Sequence, residues 1–367
     1  MKNKIRNYDI IREYEKIQAN HNINCFVSQK SKEDFHQFIN GFYQAEGTIG
    51  AYFPKEDTLA IRFYFSIGQN YSSEALNIFL NLQKLLNVGR IKLEFNPKDQ
   101  PHVRYIVSNT KDIIFKVLPY FSLIYGQKRR DLIILEKIYK LSLELLLNKE
   151  TEAKVASHID FRAMQSEFIR LIYSTNPLGQ KRKLSLQEKL SIFNCKDLTY
   201  KEDIEVLENN NLPSKLFIIG LFLGDGSFGF VFDARPSREP IFNVKIVFNF
   251  ATQSNTEDNI SLLQLVAKSM GLNPYICIRK DGMIGLNYTG KIVSECIMPF
   301  LAEHEDWLFW RKPQLLNAQK ILVVFKNKGH LTKNGLKLIV SLLYTMPNKY
   351  LKPKEFWMQQ IDKRNWK

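Results

Sequence analysis

Cysteine and histidine are scarce in this chain of 367 residues, and neither is spaced like the ligands of a metal site. The four cysteines and six histidines form no CxxC or HExxH pattern, which are the spacings typical of zinc proteins. This argues against a zinc enzyme and against a small secreted domain built on disulfides. We expect the cysteines to be reduced thiols in an intracellular protein. They are Cys25, Cys195, Cys277 and Cys296.

Long apolar runs are also missing. The longest, such as Leu216 to Gly224, fall far short of the roughly 18 residues that a membrane-spanning helix requires. The first 33 residues are polar and contain Asp9, Glu13 and Glu15, whereas transit peptides are poor in acids. We therefore expect neither a membrane span nor a cleaved leader.

Acidic residues are outnumbered by basic ones. The chain has 52 Lys and Arg against 37 Asp and Glu, a formal net charge of +15 and a pI of about 9.4. A basic surface binds phosphates through the release of counterions, so the composition favours a nucleic-acid partner. Charge alone also fits a merely soluble basic protein.

A pattern of nine residues occurs twice, at Ile39 to Gly47 (INGFYQAEG) and at Ile218 to Gly226 (IIGLFLGDG). Each copy predicts an apolar helix with small residues four positions apart, Gly41 with Ala45 and Gly220 with Gly224. Small residues on one helix face allow two helices to approach closely. We expect the two copies to pack in this way.

Each copy ends in an acid, Glu46 or Asp225, followed by a glycine. A carboxylate at a helix C-terminus faces the negative end of the helix dipole, and a second carboxylate beside it adds repulsion. The arrangement predicts a divalent cation between Glu46 and Asp225. Gly47 and Gly226 are expected to adopt the left-handed backbone conformation that ends a helix.

The duplication extends beyond the motifs, since each is followed by the pattern strand, strand, helix, strand, strand. In the first half the predicted elements are Thr48 to Phe53, Leu59 to Ile67, Ser72 to Leu86, Arg90 to Phe95 and Val103 to Ser108. In the second half they are Phe228 to Phe232, Val244 to Phe250, Asn255 to Met270, Tyr275 to Arg279 and Met283 to Thr289. Asp281-Gly282 predicts a hairpin turn in the last pair. Further along, Tyr125 to Arg130 is aligned with Phe309 to Gln314, which matches Lys128 with Lys312.

These features resemble the LAGLIDADG homing endonucleases, in the single-chain form that carries two motifs. The resemblance covers roughly residues 34 to 350. It implies an α+β fold of two pseudo-symmetric αββαββα units, with the motif helices packed at the interface and two antiparallel four-stranded sheets forming a DNA-binding saddle. The implied domains are an N-terminal extension (1–33), a first unit (34–178), a linker (179–211), a second unit (212–350) and a C-terminal tail (351–367).

The resemblance assigns candidate catalytic residues position by position. Glu46 and Asp225 match the metal-binding acids, with Gly47 and the backbone carbonyls of Ala45 and Gly224 as their neighbours. Lys128 and Lys312 match the basic residues near the scissile phosphates, and a structural or phosphate-touching role is the alternative for each. Gln69 and Gln253 match the polar residues that end the second strand, where a structural glutamine is equally compatible. The first motif departs from the family pattern in carrying Glu46 in place of Asp and polar Asn40 and Gln44.

Alternation along the strands predicts a polar sheet face. In Leu59 to Ile67 the apolar side chains alternate with polar ones, and the same holds for the strands that follow. Arg, Lys and Asn suit the edges of guanine and adenine in the major groove, so we expect this face to read bases, although each residue singly also fits a solvated sheet face. The candidate strand residues are Arg62, Tyr64, Arg90, Lys92, Arg104, Asn243 and Lys245. The candidate loop residues are Lys55, Arg235, Arg238, Arg279 and Lys280.

The resemblance implies a monomer that cuts both strands of a long double-stranded DNA site and leaves short 3′ overhangs. Mg²⁺ is the expected cofactor, Mn²⁺ is expected to substitute for it, and Ca²⁺ is expected to bind without supporting cleavage. The alternative is a maturase that binds the RNA of its host group I intron, with or without nuclease activity. The abundance of Asn, Lys, Ile and Phe suggests an AT-rich organellar genome, mitochondrial or chloroplast, and a bacterial or phage origin would look similar.

Overall fold

The computed structural model of the protein describes residues 12–17, 31–95, 101–151, 158–175, 182–195, 211–235, 241–252, 256–280, 282–346, 352–364 and 366. The chain divides into two compact units, Met1–Asn211 and Leu212–Lys367. Each unit combines helices with one antiparallel sheet of four strands, so the predicted α+β class is confirmed.

The first unit begins, after a helical segment at residues 12–17, with the first motif helix. Its elements are α1 (Lys32–Glu46), β1 (Gly47–Tyr52), β2 (Arg62–Asn70), α2 (Ser73–Leu86), β3 (Arg90–Glu94), β4 (His102–Val107), α3 (Thr110–Asp112, Ile113–Val117 and Leu118–Tyr120), α4 (Gly126–Thr151), α5 (His158–Ser174) and α6 (Leu186–Ile192). The strands lie in the order β1-β2-β4-β3.

The second unit repeats this order. Its elements are α7 (Lys215–Asp225), β5 (Gly226–Arg235), β6 (Ile241–Thr252), α8 (Glu257–Ser269), β7 (Ile276–Ile278), β8 (Ile284–Thr289), α9 (Val293–Ile297 and Met298–Glu303), short 3-10 turns at Glu305–Trp307 and Phe309–Arg311, α10 (Lys312–Lys326), a 3-10 turn at Gly329–Leu331, α11 (Lys333–Leu343) and α12 (Lys354–Lys363). The strands lie in the order β5-β6-β8-β7. The predicted duplication is therefore confirmed element by element.

The two motif helices begin and end in the same way. Ser31 caps α1 by accepting a hydrogen bond from the Asp34 amide, and Ser214 caps α7 by accepting one from the Phe217 amide. Neither helix has a basic residue in its last turn, so the acid that ends each helix faces the negative dipole end without a cation from its own helix.

Side-chain alternation gives each sheet one covered and one open face. In β2, Phe63, Phe65 and Ile67 are buried against the helices, while Arg62 is exposed and Tyr64 is half-buried on the other face. The strand begins at Arg62, however, so the predicted extension back to Leu59 is wrong. Leu59 instead packs against a small cluster formed by Ile169, Leu190 and Cys195. Burial against these side chains outweighs the alternating pattern at this end of the strand.

The predicted hairpin between β7 and β8 is confirmed. The Arg279 amide donates to the Met283 carbonyl at 2.7 Å, and the Gly282 amide donates to the Arg279 carbonyl at 3.0 Å. Gly282 has φ +79°, a left-handed conformation that glycine adopts without steric cost. Asp281 lies outside the described residues.

The glycines that follow the motif acids do not adopt the predicted left-handed conformation. Gly47 has φ −78° and ψ 150°, and Gly226 has φ −80° and ψ 155°, so both are extended and begin strands. Glycine is needed there for space. A Cβ at Gly47 would overlap the Tyr43 ring, and a Cβ at Gly226 would overlap the Phe222 ring and lie 2.7 Å from the Phe222 carbonyl oxygen.

The predicted linker and the predicted C-terminal tail each contain a packed helix. In the linker, α6 contributes Leu190 to the cluster that holds Leu59. In the C-terminal tail, Trp357 of α12 packs edge-on against Phe232 of β5 with ring centroids 4.9 Å apart, and Asp362 forms ion pairs with Lys333 and Lys337. In each unit, the last helix that the structure describes packs on other elements of that unit.

Hydrogen bonds from Lys189 connect α6 to the loop between β1 and β2. Its side chain is buried, and its ammonium donates to the carbonyls of Lys55 (3.3 Å), Glu56 (2.6 Å) and Thr58 (3.0 Å). It also lies 4.2 Å from the centre of the Phe53 ring. Burial lowers the pKa of Lys189, because it disfavours the charged form.

We expect Lys189→Met to lower the free energy of unfolding by about 1–3 kcal/mol, because three carbonyls lose a charged donor. Urea denaturation of both proteins measures this. Lys183→Met is the matched control, since Lys183 lies in the same segment, is 87% exposed and pairs with Glu56 at 3.7 Å. An exposed pair of this kind contributes at most about 1 kcal/mol. Equal losses in the two variants would contradict the role given to Lys189.

Candidate functional site

The acid of the first motif lies in a small polar cluster. The Gln69 amide donates to Glu46 Oε1 at 3.3 Å, which brings the end of β2 to the end of α1. The Lys128 ammonium donates to the carbonyls of Tyr43 and Ala45, both at 3.0 Å, and lies 5.4 Å from the centre of the Tyr43 ring. Three of the predicted residues of this unit, Glu46, Gln69 and Lys128, are therefore neighbours at one helix end.

Lys128 supplies the positive charge that α1 itself lacks. The last carbonyls of a helix have no partner within the helix, and a cation beside them is stabilising. The Lys128 ammonium therefore stands next to Glu46 by binding the backbone just before it. The Ala45 carbonyl, predicted as a neighbour of a metal, accepts one of these hydrogen bonds.

The unexpected polar residues of the first motif hold the segment that precedes α4. Asn40 donates to the Tyr120 carbonyl at 3.1 Å and accepts from the Leu123 amide at 3.2 Å. Gln44 accepts from the Tyr125 amide at 2.9 Å. Both side chains are buried. Because Lys128 follows directly, these hydrogen bonds fix the place from which it reaches α1.

The second unit places its acid in the same position, at the end of its motif helix. Asp225 ends α7 and is half-buried, with Gly224 before it. Gln253, the predicted partner at the strand end, lies outside the described residues. The Lys312 ammonium forms ion pairs with Glu305 at 3.3 Å and Asp306 at 3.6 Å. The hydrogen bond to Glu305 raises the pKa of Lys312 above its ordinary value.

The backbone offers a second alignment of the two units, which differs by one residue from the match of Lys128 with Lys312. Gly126 and Phe309 both have left-handed backbones, with φ +57° and +42°, at the point where each chain turns into its helix. The fifth residue after each is a buried polar one, Asp131 in the first unit and Gln314 in the second. In this register, Lys128 corresponds to Arg311. The shared buried polar position supports this second register.

The open face of the first sheet carries most of the predicted base-reading residues. Arg62 and Tyr64 of β2, Arg90 and Lys92 of β3 and Arg104 of β4 all lie on this face. Glu94 lies among them and pairs with Lys92 at 3.2 Å and with Arg104 at 3.4 Å. The face is therefore strongly basic, and Glu94 forms ion pairs with two of its basic side chains.

The open face of the second sheet is less charged and richer in amides. Asn243, Lys245 and Asn249 of β6 share it, and Asn249 is paired in register with Asn287 of β8. Asn287 was not among the predicted residues, although the same alternation places it on this face. The two sheets thus present different chemistry, guanidinium and ammonium groups in one and mainly carboxamides in the other.

The predicted loop residues lie at strand ends where they are described. Lys55 is exposed in the loop after β1, and Arg279 and Lys280 are exposed at the turn after β7. Arg235 is the last residue of β5, of which the structure describes the backbone, and Arg238 lies outside the described residues.

A cavity of about 1010 Å³ in the first unit lies between the open sheet face and the linker. Its walls include Thr48, Tyr52 and Tyr64 from the sheet and Arg182 and Lys183 from the linker. The Arg182 guanidinium is fixed by the carbonyls of Ile172 (3.0 Å) and Thr175 (2.9 Å). The start of the linker therefore adds positive charge to the rim of the basic face.

The donor set at the motif ends fits Mg²⁺ better than zinc. Among the residues that the structure describes, no three His, Cys, Asp or Glu side chains are grouped to hold a metal ion. Mg²⁺ is commonly bound through one or two carboxylates together with water and substrate phosphates, which needs no such group. One carboxylate at each motif-helix end is compatible with this mode. In the same described residues, no helix is long and apolar enough to cross a membrane.

Comparisons with known proteins agree with the fold and the motif. The family model described as LAGLIDADG endonuclease matches residues 39–139, which include the first motif and Lys128. The solved structure of the homing endonuclease I-LtrWI bound to target DNA matches with a TM-score of 0.66 and 24% identity, over 86% of this chain and 98% of that one. The homing endonuclease I-SmaMI bound to cleaved DNA matches with a TM-score of 0.63 and 20% identity, over 85% and 96%. No curated protein sequence matches significantly.

Proposed function

We propose that the chain is a site-specific homing endonuclease of the LAGLIDADG family acting on double-stranded DNA, because the family model matches residues 39–139 and solved homing endonucleases share its fold. The observation that carries the proposal is the cluster at the end of α1. There an acid without a cation from its own helix, a glutamine and a lysine bound to the helix carbonyls lie side by side. A site built only to stabilise the fold would not need a carboxylate at the negative end of a helix.

We assign each residue a role. Glu46 and Asp225 are the metal-binding acids, and bound Mg²⁺ supplies charge neutralisation at the scissile phosphate and lowers the pKa of water. Gln69 orients the Glu46 carboxylate through its hydrogen bond to Oε1. Lys128 offsets negative charge that develops on the phosphate, because its ammonium is held beside Glu46. The proposed products are short 3′ overhangs, and the proposed ion is Mg²⁺, with Mn²⁺ as a substitute.

The open sheet faces are the proposed DNA-reading surface. Arg and Lys in the first unit suit guanine edges and phosphates, and Asn in the second suits adenine edges. Neighbours in the comparison are bound to DNA, namely I-LtrWI to its target and I-SmaMI to cleaved DNA. We further propose an organellar intron as the source of the chain.

Selection of cleaved molecules from a randomised library of double-stranded DNA tests the proposal. The chain is incubated with the library in Mg²⁺, in Ca²⁺ and in EDTA, and the cut ends are sequenced. We expect one long site to be recovered in Mg²⁺ alone. Recovery of no site from a folded protein that instead binds structured group I intron RNA would contradict the nuclease and support a maturase.

Glu94 offers a separate test of the DNA-reading surface. We expect Glu94→Gln to tighten DNA binding by about 3–10-fold at low salt, because Lys92 and Arg104 lose their shared carboxylate and become available to phosphates. The gain should shrink as salt rises. Fluorescence anisotropy in Ca²⁺ at several salt concentrations measures it.

Glu144→Gln is the matched control for this measurement. Glu144 lies exposed on α4, away from the strands, and its change removes the same charge from the chain. Equal gains in both variants would show a general charge effect and would contradict the role of this sheet face.

A further inference from the structure

We infer that Arg311, and not Lys312, is the counterpart of Lys128 in the second unit, and that its guanidinium contacts the scissile phosphate of one DNA strand. The inference rests on the proposed nuclease function and deepens it. It replaces a lysine by an arginine at one of the two basic positions, so the two halves of the enzyme would differ in this group as well as in their acids, Glu46 and Asp225.

The backbone gives the first argument. Gly126 and Phe309 mark the same point in the two units through their positive φ angles. A phenylalanine is rarely held in this conformation, so the shared geometry reflects a constraint of the fold and not a free choice of the loop. Counting from this point, the second residue is Lys128 in one unit and Arg311 in the other.

Packing after this point gives the second argument. Asp131 and Gln314 are the buried polar residues that follow, and both fill the start of the long helix. Gln314 donates to the Phe228 carbonyl of β5 at 2.6 Å. This hydrogen bond fixes which side of α10 faces the second sheet. A shift by one residue would turn Gln314 away from β5.

Contacts with the motif helix give the third argument. The Lys128 ammonium lies 5.4 Å from the centre of the Tyr43 ring, and the Arg311 guanidinium carbon lies 5.2 Å from the centre of the Phe222 ring. Tyr43 and Phe222 each stand three residues before the motif acid. Both cations therefore sit on the aromatic ring of the last helical turn, one turn below Glu46 or Asp225.

Lys312 has a different environment. Its ammonium is engaged by Glu305 and Asp306, two carboxylates that would repel a phosphate approaching the same group. Its side chain is 39% exposed. Arginine suits the other role, because a guanidinium stays charged and binds a phosphate through two parallel hydrogen bonds.

Strand-resolved cleavage distinguishes the two residues. The substrate is a site selected from the randomised library by binding in Ca²⁺ and labelled separately on each strand. The rates are measured in Mg²⁺ with enzyme in excess. The variants are Arg311→Met, Lys312→Met, Arg311→Lys and Lys128→Met. Lys320→Met, an exposed lysine on α10, is the control for loss of one charge. Thermal unfolding and DNA binding in Ca²⁺ are recorded for every variant.

We expect Arg311→Met to slow cleavage of one strand by about 10²-fold and Lys128→Met to slow the other by a similar factor. Arg311→Met should be at least about 30-fold slower than Lys312→Met on its strand, and Arg311→Lys should recover most of the rate. A merely structural role would slow both strands together and lower the unfolding temperature, which would overturn the inference.

Two other outcomes overturn the inference in ways that can be told apart. If the wild-type chain cuts and Lys312→Met is the slower variant, the inference fails while the nuclease stands. If the wild-type chain binds the DNA and cuts neither strand, the proposed function fails and the inference fails with it. Should Arg311→Met be unfolded, Arg311→Gln replaces it in the same comparison with Lys312→Met.

Discussion

Glu46→Gln and Asp225→Asn are each expected to slow DNA cleavage by at least about 10³-fold while leaving DNA binding intact. An amide has the size and shape of the carboxylate but lacks the negative charge that holds Mg²⁺. The proposed DNA-reading residues are side chains of the sheet faces and do not include the two acids, so the bound complex should persist.

The same two substitutions should leave the fold as stable as before or slightly more so. Each acid ends a helix that has no basic residue in its last turn, where a negative charge is unfavourable by about 0.3–1 kcal/mol. Activity and stability are therefore expected to move in opposite directions. A residue kept for structure would show a loss of both.

Cleavage rates, DNA affinity in Ca²⁺ and urea denaturation together check this expectation. Glu144→Gln, on the exposed side of α4, controls for the loss of one acid. If either variant cleaved DNA at near the wild-type rate, the substituted acid would not be a ligand of the catalytic metal ion. Loss of DNA binding would show that the acid acts on the fold and not on the reaction.

Gly226→Ala and Gly47→Ala are expected to destabilise the fold by about 2–4 kcal/mol each. The extended backbone at both glycines is open to alanine, so conformation is not the obstacle. At Gly226 the new Cβ would lie 2.7 Å from the Phe222 carbonyl oxygen and 2.9 Å from its Cα. At Gly47 it would meet the Tyr43 ring, which is fully buried and stacks on Phe65 with centroids 5.0 Å apart.

Urea denaturation measures the loss, and Gly68→Ala is the matched control. Gly68 lies in β2, and a Cβ there would meet only the Arg104 side chain, at 3.5 Å, an ordinary contact. We expect this control to change stability by less than about 0.5 kcal/mol. If Gly47→Ala and Gly226→Ala were as stable as Gly68→Ala, lack of space for a side chain would not be the reason that glycine follows each motif acid.

The order of the elements could be predicted from the sequence because it depends on local patterns that occur twice. Alternation placed Phe63, Phe65 and Ile67 on the covered side of β2, as found. The acid at the end of each apolar run marked the last residue of α1 and of α7. These features depend on the period of the apolar side chains and on the residues that end helices, and both can be read from one sequence.

The parts that could not be predicted depend on contacts between distant segments. Nothing near Asn40 and Gln44 shows that they bind the backbone about 80 residues later. Leu59 continues an alternating pattern, yet it packs on the cluster that contains Leu190. The alignment of Lys128 with Lys312 follows residue type. The inferred match of Lys128 with Arg311 rests on backbone angles and burial, which only the folded chain shows.

The most direct test of the nuclease is to map both cut ends on a site selected from the randomised library by binding in Ca²⁺. Each strand is labelled and incubated with the wild-type chain or with Glu46→Gln, in Mg²⁺, Mn²⁺, Ca²⁺ and EDTA. Both strands should be cut at one place with 3′ overhangs in Mg²⁺ and Mn²⁺, neither strand should be cut in Ca²⁺ although the DNA is bound, and Glu46→Gln should be inactive. A folded chain that binds the site and cuts neither strand with any ion, or that cuts equally well in EDTA, would contradict the proposal.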